Sequence, residues 1–301
     1  MHKQFMRSAI VLGLLLTTFV AACGSSTTAT VASPTKFSLP ALRLGLIPLD
    51  NATKEIGDNT PFANAISAKL GVPVTLTVGT SYTATITALA TGQIDAALFG
   101  PFSYILANAK YGVVPIVYAK SSNTMKPVYN SLIITPSDSK IMTLADLKGH
   151  TFSFVDPAST SGNLVPQYML TKAGLDPKTD VIGKFAGSHV ASLLAIQSKQ
   201  EDAGAVASDT YAQQLAKGTF KDGDFRIIAT SFDIPQGPIG VSKDMSTSDK
   251  KFLADAFTSI TDQTILQQAG NAGWLPVLNS QYDGLRDVAK QLGIDVATLV
   301  K

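Results

Sequence analysis

With 301 residues and 45% hydrophobic side chains, the chain can bury a sizeable core, as one large domain or as two lobes. Its single cysteine excludes an intramolecular disulfide and any Cys-based metal cluster. Its net charge of +2 comes from the front: residues 1–22 hold two bases, Lys3 and Arg7, and no acid. The rest therefore balances 22 bases against 22 acids with no basic run, which argues against nucleic acid as a partner.

Lys3 and Arg7 precede an uncharged apolar run, Ala9 to Val20, that is too short for an ordinary membrane span. The run ends in Val20-Ala21-Ala22-Cys23, which resembles a bacterial lipobox. Residues 1–22 then form a lipoprotein signal peptide, and Cys23 is the first mature residue, acylated and held at a membrane surface outside the cytoplasm. An ordinary secretory signal with a coincidental cysteine is the alternative. Residues 23–41 are rich in Ser, Thr, Ala and Pro and read as a flexible tether.

From residue 42 the pattern alternates. Leu42 to Pro48 reads as a strand, Thr60 to Leu70 as a helix stopped by Gly71, and Val74 to Val78 as a strand. A helix from Tyr82 to about Thr91, a strand over Asp95 to Phe99, a helix from Phe102 to Lys110 and a strand from Val114 to Tyr118 follow. The order restarts with the strand Ser131 to Thr135, a short helix closed by Gly149, and the strand Thr151 to Val155. Beyond it lie a helix to about Ala173, a helix from Ser188 to Ser198, and strands over Asp202 to Val206 and Phe225 to Thr230. From Ser248 the spacing of Phe252, Ala256, Phe257 and Ile260, and of Leu285, Val288, Ala289 and Leu292, is helical, and Trp274 reads as packing. Strands alternating with helices imply mostly parallel sheets covered on both faces, with ligands at the carboxyl ends of strands.

The chain is organised around Phe154 to Pro166, an apolar run broken by Asp156-Pro157 and followed by Ser159-Thr160-Ser161-Gly162. A strand, a tight turn and a helix start in that order offer free backbone N–H groups beside three hydroxyls. The residues alone allow two readings, a plain helix cap or a site for a small oxyanion.

This stretch resembles the Ser-Thr-Ser-Gly signature of the phosphate/phosphite/phosphonate family of ABC-transporter substrate-binding proteins. Asp95 to Tyr104, Gly187-Ser188-His189 and Gln281 to Arg286 resemble further segments of that family in the same order. The resemblance implies a two-lobed α/β fold of the type II periplasmic-binding-protein (Venus-flytrap) kind. Lobe 1 is then 42–130 plus 239–301 and lobe 2 is 131–238, joined by crossings near 128–134 and 234–241. It also implies a receptor that delivers a small phosphorus oxyanion to an ABC permease and its ATPase subunits, working as a monomer without cofactor or metal.

Carried over residue by residue, the resemblance makes Tyr82 a phenol that reaches the anion and Phe99–Gly100 a stretch of cleft wall, with Phe99 where some members have Tyr. Ser159, Thr160 and Ser161 become the donors of the second lobe, and His189 a donor to the oxyanion. Asp209 becomes an acid that accepts from a protonated ligand oxygen or orients a donor. Aminoalkylphosphonate binders carry an acid near 237, where this chain has Gly237 and no acid between Asp233 and Lys243. That departure favours phosphite, methylphosphonate or another amine-free ligand, with phosphate as an alternative. An enzyme is the competing class. A phosphoester or serine hydrolase lacks support, since the chain has no Gly-x-Ser-x-Gly elbow, no Walker loop, and no partner in sequence for His150 or His189.

Overall fold

The computed structural model describes residues 36–300. The expected signal peptide, the acylated Cys23 and most of the tether lie outside the described residues. The folded body reaches back beyond Leu42. Phe37 is buried among Leu42, Phe257 and Trp274, and Ser38 donates its N–H and hydroxyl to the two oxygens of Asp249 at 2.8 and 2.6 Å.

Chain order is β1 (Leu42–Leu46), α1 (Ala52–Leu70), β2 (Val74–Val78), α2 (Tyr82–Ala90), β3 (Ala96–Leu98), α3 (Pro101–Tyr111) and β4 (Val114–Ser121). The first crossing is β5 (Val128–Tyr129). Then come β6 (Ser131–Pro136), β7 (Thr151–Phe154), α4 (Val165–Lys172), β8 (Ile182–Phe185), α5 (His189–Gln197), β9 (Ala203–Ala207), α6 (Ser208–Ala216) and β10 (Phe225–Thr230). The return crossing is β11 (Ile234–Pro235), followed by β12 (Pro238–Val241), α7 (Thr247–Thr258), α8 (Gln263–Gln268), β13 (Asn271–Pro276) and α9 (Asp283–Gln291).

Two sheets result, in the orders β13-β4-β12-β3-β1-β2 and β10-β6-β9-β7-β8. In the first, β1 runs parallel to β2 and β3, while β12 is antiparallel to both β3 and β4. In the second, β7 is parallel to β8 and β9, and β6 is antiparallel to β9 and β10. The strand that enters each sheet from a crossing thus runs against its neighbours. The crossings themselves pair as a two-stranded ribbon, Ile234 with Tyr129 and Pro235 with Val128. This is the two-lobed architecture that the sequence implied.

Two elements differ from the sequence reading, and β8, α6 and β12 have no counterpart in it. The first helix starts at Ala52 rather than Thr60, with Asn51 as its cap accepting from the Lys54 N–H. Pro61 cannot donate a backbone N–H in a helix interior. Here the helix runs through it, and the Asn59 and Thr60 side chains cap the Glu55 and Ile56 carbonyls at 2.9 and 2.7 Å. The C-terminal part is not all helical either, since β13 joins the edge of the first sheet with a register shift between Asn271 and Trp274. Trp274 packs as expected, stacked on Phe62 at 5.6 Å and edge-on to Phe257 at 5.0 Å.

Separate apolar clusters cover the sheets. Leu42, Ile66, Val117 and Phe257 pack on one face of the first sheet. Ile133, Phe152 and Leu170 lie on one face of the second, and Leu132, Leu193 and Val206 on the other. A further cluster runs from Ile86 and Phe102 through Tyr129 and Ile234 to Val155 and Leu164, joining the two lobes at their inner edges. The site lies against this cluster.

Candidate functional site

A cavity of about 170 Å³ opens between the lobes at the carboxyl ends of β1, β3, β7 and β9. Drug-sized ligands occupy roughly 300 Å³ or more, so this volume suits a small ion with a few waters. Tyr82, Phe99, Gly100, Ser159, Thr160, Ser161, His189 and Asp209 all line it. The eight expected site residues are therefore brought together. Its lining contains no Lys or Arg, but it does contain Asp50, Glu55, Asp58 and Asp209. Any anion held here must be held by uncharged donors.

The second lobe supplies its donors through the turn after β7. Asp156 accepts from the Ala158 N–H at 2.8 Å, and its burial raises its pKa. Ser159 acts as a cap, its Oγ accepting from the Gly162 N–H at 3.1 Å, and a single π-helical turn follows over Thr160–Leu164. Gly162 is required there, because a Cβ would collide with the Val155 side chain. The cap reading of this stretch holds for Ser159, and the start of the turn faces the cavity.

Cross-lobe bonds bring the walls together. Thr160 Oγ1 accepts from the Phe102 N–H at the start of α3 (2.8 Å), and Asp156 accepts from the Tyr82 N–H at the start of α2 (3.3 Å). The Val190 N–H, at the start of α5, donates to the Leu49 carbonyl at 3.3 Å. The positive ends of three helices and of the π-turn thus converge on the cavity, a field that favours negative charge without a basic side chain.

His189 is buried, and burial pushes its pKa down to about 4. Its Nδ1 accepts from the Ala207 N–H at 3.1 Å. A neutral imidazole has one donor and one acceptor nitrogen, so Nε2 carries the proton. That nitrogen sits 3.5 Å from the Ser161 hydroxyl. The backbone of β9 thus sets His189 as a neutral donor.

Tyr82 is 1% exposed, and its hydroxyl, with Ser159 beside it, makes no hydrogen bond among the described residues. Burial raises its phenol well above the usual value. A buried hydroxyl that makes no hydrogen bond among the described residues costs stability, and this one is left free to donate in the cavity that Tyr82 lines. Phe99 lies with its ring over Gly240, leaving an apolar stretch of wall. Gly237 packs so close to the Phe99 carbonyl that a Cβ would collide with that oxygen. Position 237 lacks an acid, and it also lacks the space for one.

Asp209 opens α6, and burial raises its pKa. Ser121 donates its hydroxyl to one oxygen at 2.8 Å and Gln236 its amide to the other at 2.6 Å. Glu55 is buried at the other side of the cavity, and desolvation lifts its pKa to about 7 even though the Leu49 and Asp50 N–H groups donate to it.

Tyr129 and Gln236 are among the lining residues that escaped the sequence reading. Tyr129, in the first crossing, is raised to about 12 by burial, against the opposing pull of the Ser161 and Thr160 hydroxyls beside it. Gln236 sits in the second crossing. The signal available for both was position, since crossings between two lobes necessarily border the cleft. Among the described residues no group of His, Cys, Asp and Glu could hold a metal ion, and no helix is long and apolar enough to cross a membrane.

Comparison with known proteins places this geometry. The family model described as "ABC transporter, phosphonate, periplasmic substrate-binding protein" matches residues 44–282. The chain is 28% identical over 283 residues to the phosphate-import protein PhnD of Mycolicibacterium smegmatis, covering 84% of this chain and 86% of that one. It is 31% identical over 198 residues to a probable ABC-transporter phosphite-binding protein of Prochlorococcus marinus, covering 64% and 66%. Among solved structures, a binding component of an ABC phosphonate transporter from Pseudomonas aeruginosa superposes with a TM-score of 0.78 at 24% identity, over 83% of this chain and 86% of that one. A Prochlorococcus marinus binding protein in complex with methylphosphonate gives 0.76 at 21% identity, over 84% and 98%. With a matched span that takes in both sheets, both crossings and every candidate site residue, this chain belongs to the phosphonate family of periplasmic substrate-binding proteins of ABC transporters.

Proposed function

We propose that this substrate-binding component captures a small, amine-free phosphorus oxyanion, phosphite or methylphosphonate, in the cleft between its lobes. The observation that carries this reading is the donor set: the Tyr82 hydroxyl, which makes no hydrogen bond among the described residues, and the Nε2–H of His189 meet in a small cavity with no Lys or Arg in its lining. The Ser159–Ser161 turn, the Tyr129 phenol and the converging helix starts complete a shell that replaces the ligand's hydration. Gly237, closed off by the Phe99 carbonyl, provides no counter-charge for an ammonium group. A related Prochlorococcus marinus protein supports this class: it is described as a probable phosphite-binding protein and was solved with methylphosphonate. Phosphate is the second candidate, because another relative is described as a phosphate importer. An acidic lining, Asp209 included, favours a ligand that keeps a proton over a fully deprotonated one.

The same site argues for a receptor rather than a hydrolase. Ser161 and His189 are spaced as a loose nucleophile–base pair, but a base needs a bare Nε2 and an acid behind Nδ1. Here the Ala207 N–H occupies Nδ1 and the proton is on Nε2. Closure then hands the loaded protein to its permease and ATPase partners, with the body working as a monomer tethered through acylated Cys23. Calorimetry with phosphite, methylphosphonate, phosphate, 2-aminoethylphosphonate and sulfate tests the reading, which expects tight binding of the first two.

A further inference from the structure

The acid beside the oxyanion cavity is held by one group from the other lobe and one from the crossing. Asp209 stands on α6 behind the second sheet, whereas Ser121, which donates to one oxygen at 2.8 Å, is the last residue of β4 in the first sheet. Gln236, which donates to the other at 2.6 Å, directly follows β11. Its backbone is firmly mounted. The Gln236 N–H donates to the Pro127 carbonyl at 2.9 Å, and the Gln236 carbonyl accepts from the Tyr282 hydroxyl at 3.0 Å. Pro127 and Gln236 flank the β5–β11 ribbon, where any rotation of the lobes has to be absorbed. The next residue, Gly237, is seated on the Phe99 carbonyl at the cavity wall. A fixed amide thus reaches from the hinge to a second-lobe carboxylate that lines the cavity.

We infer that Gln236 is a positioning residue that, with Ser121, latches Asp209 when the lobes close and so couples hinge closure to ligand capture. The inference rests on the oxyanion reading of the cavity. Charge-assisted hydrogen bonds are the strong ones; the Ser121 bond spans the lobes and the Gln236 bond ties the second lobe to the hinge, so their free energy favours the closed state. A contact of that kind raises the affinity for every ligand by the same factor and acts mainly on release. Direct contact of Asp209 with ligand would instead give a factor that changes with the ligand's substituents and protonation.

The test uses Gln236→Glu, Asp209→Asn and the reciprocal double substitution. Gln236→Glu sets two carboxylates face to face, and Asp209→Asn removes the charged acceptor. In the double variant the new amide at 209 donates to the new carboxylate at 236, and the Ser121 hydroxyl keeps an oxygen to donate to. At a pH where both ligands are monoanions, each single substitution is expected to weaken phosphite and methylphosphonate by one common factor, about tenfold or more, through faster dissociation in stopped flow. The double variant is expected to return to within about threefold of the parent protein, with small-angle scattering showing the closed dimensions again. Parent-like affinity in both single variants, a double variant no tighter than the singles, or losses that differ between the two ligands would each overturn the inference. If the parent protein binds neither compound, the oxyanion reading fails on its own. Scattering without ligand then decides the latch: an expanded Gln236→Glu variant restored by the double substitution supports it, and equal dimensions overturn it.

Discussion

Replacing His189 by Ala probes the donor shell at its most constrained point. The substitution removes the Nε2–H and leaves the Ala207 N–H without its acceptor in a buried site. A hydrogen bond to a charged group contributes about 1.5–3 kcal/mol, so phosphite affinity should fall by roughly 10- to 150-fold in calorimetry. The orphaned Ala207 N–H should cost the ligand-free protein about 1–3 kcal/mol in denaturant unfolding. The parent protein carries a second signature. Burial lowers the folded-state pKa of His189 from 6.5 to about 4, so unfolded chain takes up its proton first as the pH falls. The stability that His189 contributes is therefore complete above pH 6.5 and lost progressively below it, by about 3 kcal/mol at pH 4. Subtracting the pH profile of the alanine variant isolates this slope from other groups. Nitrogen NMR reads the tautomer directly, with Nε2 protonated and no titration between pH 8 and 5. A His189 that titrates near 6.5, or that carries its proton on Nδ1, would refute the assignment of a neutral, backbone-set donor.

Other outcomes follow from single observations. Tyr82→Phe removes a buried hydroxyl that makes no hydrogen bond among the described residues, so the unfolding free energy of the ligand-free protein should hold or rise slightly. Phosphite affinity should fall about tenfold or more in the same variant, a split that a purely structural tyrosine would not produce. Phe37→Ala should cost about 3–5 kcal/mol in denaturant unfolding, because Phe37 fills the core beside Phe257 and Trp274. A flexible tether through residue 41 predicts no loss. Glu55→Gln should stabilise the protein at pH 8. Desolvation lifts the folded-state pKa of Glu55 from 4.5 to about 7, so its charged form weighs against folding as the pH rises through that range. The gain should be at most about 3 kcal/mol and vanish below pH 4.5 in paired melting curves.

Much of the frame was legible because strands and helices alternate with clear stops. The strand Phe225–Thr230 and the Ser188 cap of α5 stand where the sequence set them. The start of α1 was not legible, since Pro61 imitates a first-turn proline although the helix runs through it from its Asn51 cap. Strand β13 was hidden by Gly270 and Gly273 and by the helical spacing on either side of it. At the site, residue types marked the Ser159–Ser161 run and His189, but roles depended on partners distant in the chain. Asp209 is 88 residues from Ser121 and 27 from Gln236, and no local pattern connects them. Tyr129 reads as an ordinary apolar aromatic until the crossing ribbon places it beside Thr160 and Ser161.

The central claim is that uncharged donors and a closed wall at Gly237 select a small, amine-free phosphorus oxyanion. Calorimetry of the ligand-stripped protein from residue 24 onward, so that Phe37 and Ser38 are retained, tests it most directly. The account predicts tight binding of phosphite or methylphosphonate, with 2-aminoethylphosphonate and sulfate at least about 100-fold weaker. Tighter binding of 2-aminoethylphosphonate would contradict the role given to Gly237, and failure of every phosphorus compound to bind would contradict the site itself.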